Sequence, residues 1–496
     1  MRHFSVDQKS VDAIIKELKL TLGADKVLTD DFIRASYARD ATLFYYSHTR
    51  PSCVVLPDSR EDVQKIIHLA NKYKVPVVPV AARTSCFGST DSKGGITIDM
   101  SNMNKVIEVD TKNLTFTVEA GACVHLMNKE LAKIGFCYPT HPLNFAPISF
   151  GSEVSKNSMG EVGGMYGHVA KRLIALEVVL GNGDVLVTGS SRVIKNAPLF
   201  LQSGLPDLTQ LFVASEGAYG VITEVTMAMQ MLPVAWRGLD MSFEGTLDGF
   251  KAAVEAVSEL RTRKGIIANA HLIDWYTMWS FERGMTGKKV DKADGEAARQ
   301  RYGHIALLEI ESFVSEEECE LKQEAVTAIC KKYGGRHIGA EMVNAFRAGE
   351  CGDTSMMKLG FNEYSPWVCF DSDVPYPHLA AFYERGLEIL DRNGWPREKM
   401  GHVYAMGDES CLPFFWTLQD IHDPKEVEKA KDIAWQIMEM QLELGVVPYR
   451  IGRIWRPYVM DKLDGTYLKY IRSLKRQYDP NNIMNPGVSV FEEVYR

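Results

Sequence analysis

The sequence lacks several features that would send it to other classes. No run of about 18 or more apolar residues occurs in its 496 residues, so no helical membrane span is expected. The nine cysteines, at 53, 86, 123, 137, 319, 330, 351, 369 and 411, contain no Cys-x-x-Cys or zinc-type spacing. That scatter argues against a metal site and suits free thiols in a reducing compartment. Basic excess is also missing: 56 Lys and Arg against 64 Asp and Glu give a formal charge of −8, which disfavours nucleic acid or an anionic membrane as partner. Residues 1–20 alternate charged and apolar side chains without the long apolar core of an export signal, so the expected location is the cytoplasm. There is no internal repeat, no low-complexity tract, no Ser-His-Asp order and no P-loop lysine. What remains is an ordinary globular composition, 46% hydrophobic and 24% charged, in a chain longer than one core usually serves. Two domains are expected.

Cys53 to Pro57 reads as a strand, Ser59 to Asp62 as a helix cap, Val63 to Lys74 as a helix and Val75 to Val80 as a second strand. This β-α-β order runs directly into Pro79-Val80-Ala81-Ala82-Arg83-Thr84-Ser85-Cys86-Phe87-Gly88-Ser89-Thr90. A β-branched strand that opens into small and hydroxyl residues leaves main-chain N–H groups free to cradle an anion. Arg83 adds a positive charge, and Thr84, Ser85 and Ser89 add donors suited to phosphate oxygens. A nucleotide pyrophosphate is the expected anion.

Residues 96–100, 106–110 and 114–119 alternate with period two and are expected to form a second group of strands. A helix is expected over 124–134. The next stretch, Ser149 to Gly160 and Gly163 to His168, is so rich in Gly and Ser that its entropy cost implies close approach of backbone to something flat or charged. Leu173 to Leu186 reads as a hairpin turning at Gly181-Asn182-Gly183-Asp184, and Ser215-Glu216-Gly217 to Thr226 as a Gly-bracketed turn followed by a strand.

These four segments, in this order over roughly residues 50 to 230, resemble the FAD-binding domain of the vanillyl-alcohol oxidase and p-cresol methylhydroxylase flavoproteins. The resemblance lies in the Arg83-Thr84-Ser85-Cys86-Phe87-Gly88 loop, the Asn157-Ser158-Met159-Gly160 element, the Leu176-Glu177-Val178-Val179-Leu180 hairpin strand, and Ser215-Glu216-Gly217-Ala218-Tyr219-Gly220-Val221-Ile222-Thr223. It implies a fold of class α+β: a two-subdomain FAD-binding domain of the p-cresol methylhydroxylase type plus an antiparallel-sheet α+β substrate (cap) domain. It also implies that residues 81–89 (Ala81 and Ala82 through Ser89) hold the pyrophosphate. Gly151, Ser152, Asn157, Ser158, Gly160 and Gly164 would wrap the flavin end, Gly220, Val221 and Ile222 would contact the adenine side, and Glu216 and Gly217 would be further cofactor contacts. Ala81 and Ala82 stand where relatives carry glycine. Neither Cys86-Phe87 nor residues 411–418 offers the histidine or tyrosine to which some relatives attach FAD, so non-covalent FAD is expected.

From Leu232-Pro233 onward helices (247–261, 315–332, 424–444) alternate with strands (266–272, 304–313, 368–371), and 284–303 reads as an exposed charged loop. The chain then returns through Tyr449-Arg450 and the tail Tyr478 to Gly487. The expected division is 1–232 for the FAD-binding domain, 233–444 for the cap and 445–496 for the returning segment.

In the phenol-oxidising relatives a Tyr-Arg pair surrounds the phenolic oxygen, and Tyr449 and Arg450 match it; Phe87 replaces the loop tyrosine. A cation aimed at that oxygen favours the phenolate and makes the benzylic C–H a hydride donor. The leading expectation is therefore an FAD-dependent oxidoreductase for an aromatic, phenolic or benzylic substrate. Tyr449, Arg450, Tyr166, Glu161 and His168 are the candidate catalytic residues, and Phe87, Arg453 and Trp416 the substrate contacts. The alternative is a 2-hydroxy-acid dehydrogenase, with Arg450, Arg453 and Arg456 on one helix face as a carboxylate clamp. For that branch, Gly401 to Asp408 keeps only one histidine and one aspartate of the usual motif. A third reading is a flavin-binding electron-transfer subunit. No metal is expected. The electron acceptor is open among oxygen, a cytochrome, a quinone and an electron-transferring flavoprotein, and relatives imply a homo-oligomer.

Overall fold

A computed structural model of the chain describes residues 6–38, 40, 49–139, 147–159, 166–189, 206–279, 294–351, 368–417, 419–420 and 422–492. The β-α-β unit forms as its sequence implies. Strands Cys53–Val55 and Val77–Val80 are joined by helix Arg60–Tyr73, whose Ser59 cap accepts from the Asp62 N–H. Both strands run parallel to Ile96–Asp99, which lies between them in a sheet completed by Val27–Leu28. Grouping 96–100 with the later strands is thus corrected. All four residues of Ile96–Asp99 are buried, which marks a strand covered on both faces. Helix Gln8–Leu22 supplies part of that cover through Val11, Ile14, Leu18 and Leu22.

The second sheet is antiparallel, in the order Val106–Asp110, Thr115–Glu119, Gly220–Ala228, Leu173–Leu180, Val185–Val187. The hairpin turns where expected, with the Leu180 N–H donating to the Asp184 carbonyl at 2.9 Å. The Gly/Ser-rich stretch is not all turn. Phe150–Lys156 is a helix, started by Ser149, which accepts from the Ser152 N–H, and stopped by Asn157 at φ 50. One glycine inside seven residues is tolerated once Phe150 and Val154 are buried against the second sheet.

The third sheet has seven strands, in the order Arg336–Gly339, Ala235–Phe243, His304–Ser312, Asn269–Ile273, Met400–Met406, Cys411–Thr417, Val368–Cys369. Helices Leu247–Thr262, Glu316–Lys332, Leu379–Arg392 and Pro424–Glu443 cover one face in the largest core. The opposite face meets the N-terminal half, where Met159 packs with Ala405 and Leu412. Residues 294–303, expected as loop, include the helix Asp294–Tyr302; it forms because Ala298 and Tyr302 bury against Ile305 and Leu307. Residues 280–293 lie outside the described residues. Beyond Glu443, Val447–Pro448 pairs with Ser372–Asp373, and the tail closes on the first sheet, with the Val77 N–H donating to the Ile483 carbonyl at 2.8 Å. Among the described residues no helix is long and apolar enough to cross a membrane.

Candidate functional site

The two N-terminal sheets and the tail border a cleft open to solvent. Its walls come from three of the four segments singled out in the sequence: Ala81, Arg83, Thr84, Ser85 and Ser89 from the loop, Gly151, Ser152 and Ser158 from the Gly/Ser stretch, and Glu216, Gly217, Gly220, Val221 and Ile222 from the turn and strand, with Arg450 at one end; the hairpin strand Leu176 to Leu180 stands outside the lining. Ala82, Cys86, Gly88 and Asn157 stand outside the lining, and Gly160, Glu161 and Gly164 lie outside the described residues.

Local conformation explains how alanines replace glycines in the loop. Positive φ falls on Arg83, at 57, and not on Ala81 or Ala82. The guanidinium of Arg83 stacks 3.9 Å from the Tyr37 ring centroid and donates to the Ser36 carbonyl, so its charge is spent on the N-terminal helices. The cation beside the loop is instead Lys156, which sequence reading missed. Lys156 Nζ lies 2.7 Å from Glu216 Oε2, and Ser89 Oγ donates to the same oxygen at 2.5 Å. The Gly452 N–H donates to Glu216 Oε1 at 3.1 Å, and Asn485 Nδ2 donates to the carbonyls of Ser89 and Glu216 at 3.1 and 2.7 Å. Burial opposes ionisation of Glu216, but Lys156, Ser89 and Gly452 more than offset it and hold its carboxyl below the usual carboxylate range. Burial pulls the Lys156 pKa down. A signal existed: Ser152, Ser155 and Lys156 share one helix face at i, i+3 and i+4.

The cleft fits a dinucleotide. The hydroxyls of Thr90 and Ser158 are buried on its walls without a hydrogen-bond partner among the described residues, as donors awaiting an anion are. Gly217, at φ 73, brings the turn so close to the loop that a Cβ would sit 2.7 Å from Pro79 Cγ. Cys86 is a poor nucleophile, because burial pushes its thiol up to about 12.

Tyr449 and Arg450 come together with His168 at one end of the cleft. Tyr449 OH donates to the Asn157 carbonyl at 2.6 Å and accepts from the Met159 N–H at 2.6 Å, with Arg450 Nη2 at 3.5 Å. Burial pushes the Tyr449 phenol up to about 12 against the pull of Arg450. Burial also opposes the Arg450 charge, but Tyr449 and Asp371 more than offset it and hold that guanidinium above its ordinary pKa. His168 Nδ1 lies 3.3 Å from the Asn157 carbonyl, and its ring centroid 5.6 Å from that of Tyr449.

The other expected contacts are dispersed. Arg453 donates to the Asp91 carbonyl and Asn485 Oδ1 at 2.9 and 2.7 Å, and Arg456 to the Glu492 carbonyl at 2.8 Å. The three-arginine clamp is therefore corrected. Gly452 at φ 53 breaks the run, the helix covers only Arg456–Val459, and Arg450 alone reaches the cleft. Phe87 is 1% exposed in the core, its ring centroid 5.8 Å from the Arg450 Cζ. Trp416 packs with Trp279 and Val403 on the third sheet. Tyr166 donates to Glu311 Oε2 at 2.6 Å and accepts from Gln230 at 2.8 Å.

Two family models match the chain: an FAD binding domain over residues 51–189, and the C-terminal domain of FAD linked oxidases over residues 246–488. Among characterised relatives, the glycolate oxidase subunit GlcD of Bacillus subtilis is 28% identical over 460 residues, covering 92% of each chain. The cytochrome-type mitochondrial D-lactate dehydrogenase of Arabidopsis thaliana is 26% identical over 490 residues, 96% of this chain and 79% of the relative. In fold the chain is similar to p-cresol methylhydroxylase (TM-score 0.85, 18% identity) and to the 4-ethylphenol oxidase of Gulosibacter chungangensis (TM-score 0.86, 19% identity), each with 99% of both chains covered. With both family models matched, the chain belongs to the FAD-linked oxidases and dehydrogenases and is an FAD-dependent oxidoreductase.

Proposed function

We propose that this enzyme oxidises a small 2-hydroxy acid to the 2-oxo acid, with FAD held without a covalent bond in the cleft. The observation that carries this reading is the division of labour between neighbours. The Tyr449 hydroxyl has its proton committed to the Asn157 carbonyl, whereas Arg450 lines the cleft with a buried Nε that has no partner among the described residues. A phenolate needs both groups. A carboxylate needs only the guanidinium. The similarity to a glycolate oxidase subunit and a D-lactate dehydrogenase over most of their lengths supports the same choice.

FAD, when bound, supplies the two-electron acceptor for the hydrogen on the hydroxyl-bearing carbon. Arg450 holds the carboxylate and so fixes that carbon. His168, whose Nδ1 faces the Asn157 carbonyl at 3.3 Å and whose Nε2 lies 3.6 Å from Asp373 Oδ1, forms with that carboxylate the pair that takes the hydroxyl proton. The second reading, oxidation of a para-alkylphenol in the manner of the vanillyl-alcohol oxidase family, is favoured by the adjacency of Tyr449 and Arg450 at 3.5 Å. Anoxic titration of the yellow holoenzyme with D-lactate, glycolate and p-cresol decides between them. Bleaching by a hydroxy acid is expected; bleaching by p-cresol alone overturns the first reading.

A further inference from the structure

The side of the seven-stranded sheet that meets the N-terminal half carries a continuous polar run. From Tyr166 the hydrogen bond goes to Glu311; Arg347 Nη1 joins Glu311 Oε1 at 3.2 Å to Glu309 Oε2 at 2.7 Å; Asn269 Nδ2 donates to Glu309 Oε1 at 3.1 Å. That same amide nitrogen lies 3.4 Å from His271 Nδ1. Strand pairing sets Asn269 opposite Glu309 and His271 opposite Ala405, and Ala405 packs with Met159 and Tyr449. On that face His271 therefore stands between the Tyr166–Glu311 bond and the Tyr449–Arg450 pair, its ring centroid 5.0 Å from that of Phe346.

The chemistry of the run fixes the hydrogen on that imidazole. Ionised Glu309 can only accept, so it turns the Asn269 NH₂ toward itself, and the second hydrogen of that NH₂ points at His271 Nδ1, which must accept it. The ring is 1% exposed, and burial keeps it uncharged by pulling its pKa down to about 3. One hydrogen is left, and it sits on Nε2. Nε2 is buried without a partner among the described residues. A buried donor held in one tautomer by three successive groups, and left unpaired, is built for an acceptor that arrives from outside.

We propose that His271 is a substrate-binding residue whose Nε2–H donates to the oxygen on the reacting carbon. The proposal rests on the oxidoreductase reading above. Two carboxylates against one guanidinium leave the run net negative, which turns the substrate's carboxylate toward Arg450 and leaves its hydroxyl for His271. As that hydroxyl loses its proton, its oxygen gains charge, and a donor already in place stabilises the transition state more than the bound ground state. Asn269 and Glu309 act as positioning residues.

The test is stopped-flow reduction of the anoxic holoenzyme by D-lactate in the wild type, His271→Phe and His271→Gln, with flavin content and melting temperature measured for each. The limiting rate of His271→Phe is expected to fall by about 100-fold, with the apparent Kd for D-lactate changing by less than about fivefold. His271→Gln, whose amide N–H reaches the same oxygen, is expected to recover at least about tenfold of the loss. Should the Phe variant not retain FAD, His271→Asn replaces it, because its shorter amide falls short of that oxygen. Wild-type rates in the Phe or Asn variant overturn the proposal. If D-lactate and glycolate both fail to bleach the wild type, the hydroxy-acid reading falls separately, and the variants are compared with 4-hydroxybenzyl alcohol, whose benzylic oxygen stands on the reacting carbon and needs the same donor. Equal reduction there, or no reduction of the wild type by any of the three, overturns the proposal.

Discussion

Lys156 Nζ and Glu216 Oε2 stand 2.7 Å apart in the wall of the cleft proposed for FAD, with side chains only 14% and 4% exposed. The pair joins the helix Phe150–Lys156 to the turn before Gly220–Ala228, and through Gly452 and Asn485 it reaches the returning C-terminal segment. Removing one partner leaves the other charge buried and uncompensated. Lys156→Met is expected to destabilise the protein by about 3–5 kcal/mol, and Lys156→Met combined with Glu216→Gln by much less. Thermal unfolding of the three proteins checks this; equal losses in single and double variants would show that the charges do not interact.

Arg450→Met should keep FAD bound and lose about 100-fold in the rate of reduction by the hydroxy acid that bleaches the wild type. Arg450→Lys keeps the charge but not the planar fork, so an intermediate rate is expected. Flavin spectra establish binding, and anoxic stopped-flow traces give the rates. A Met variant as fast as the wild type removes Arg450 from the substrate.

Ser158→Ala and Thr90→Val remove the two hydroxyls that lie unpaired in the cleft. Neither has a partner among the described residues, so the apoprotein should melt as the wild type does. The holoprotein should hold FAD about 3- to 10-fold more weakly per hydroxyl lost. Calorimetric titration of apoprotein with FAD measures it, and unchanged affinity would place those hydroxyls away from the phosphates.

Gly217→Ala meets two obstacles at once, a φ of 73 and a Cβ 2.7 Å from Pro79 Cγ. The loop and the turn must then separate, which opens the anion cradle from both sides. The expected result is a folded protein purified with little flavin, read from the ratio of absorbance at 450 nm to that at 280 nm (about the flavin and protein maxima).

Glu153 provides the pH test. It is fully buried behind the cleft, accepts from Tyr138 OH at 3.1 Å, and has its other oxygen unpartnered among the described residues. Burial pushes its carboxyl up to about 8. A raised folded-state pKa means that the native protein binds this proton more tightly than the unfolded chain does. Its contribution is therefore complete below the ordinary carboxylate range and is lost as pH rises through about 8. The loss is on the order of 4 kcal/mol. Unfolding in urea from pH 4.5 to 8.5 should show this decline in the wild type and a flatter profile in Glu153→Gln. Parallel profiles would show that Glu153 is not the group responsible.

Local pattern alone determined a good deal of this protein. The Arg60–Tyr73 helix between two buried strands, the hairpin at Gly181–Asp184 and the Gly217 turn are each set by near neighbours, because capping, period and left-handed φ are properties of a few consecutive residues. Much of the lining of the cleft was legible for the same reason: its walls are largely backbone turns, and turns announce themselves in Gly and Ser.

What the tertiary structure decided was partnership. Spacing put Arg450, Arg453 and Arg456 on one face, yet Gly452 and the carbonyls of Asp91 and Glu492 sent two of them elsewhere. Ile96–Asp99 alternates like an edge strand and became the buried centre of the first sheet. Lys156 found Glu216 60 positions away, and His271 meets an Asn269 amide that also donates to Glu309, 40 positions along the chain. Charge pairing and hydrogen-bond direction depend on groups brought together only after the sheets have packed, and in a buried site those late contacts, not local preference, set which atom is left to meet a substrate.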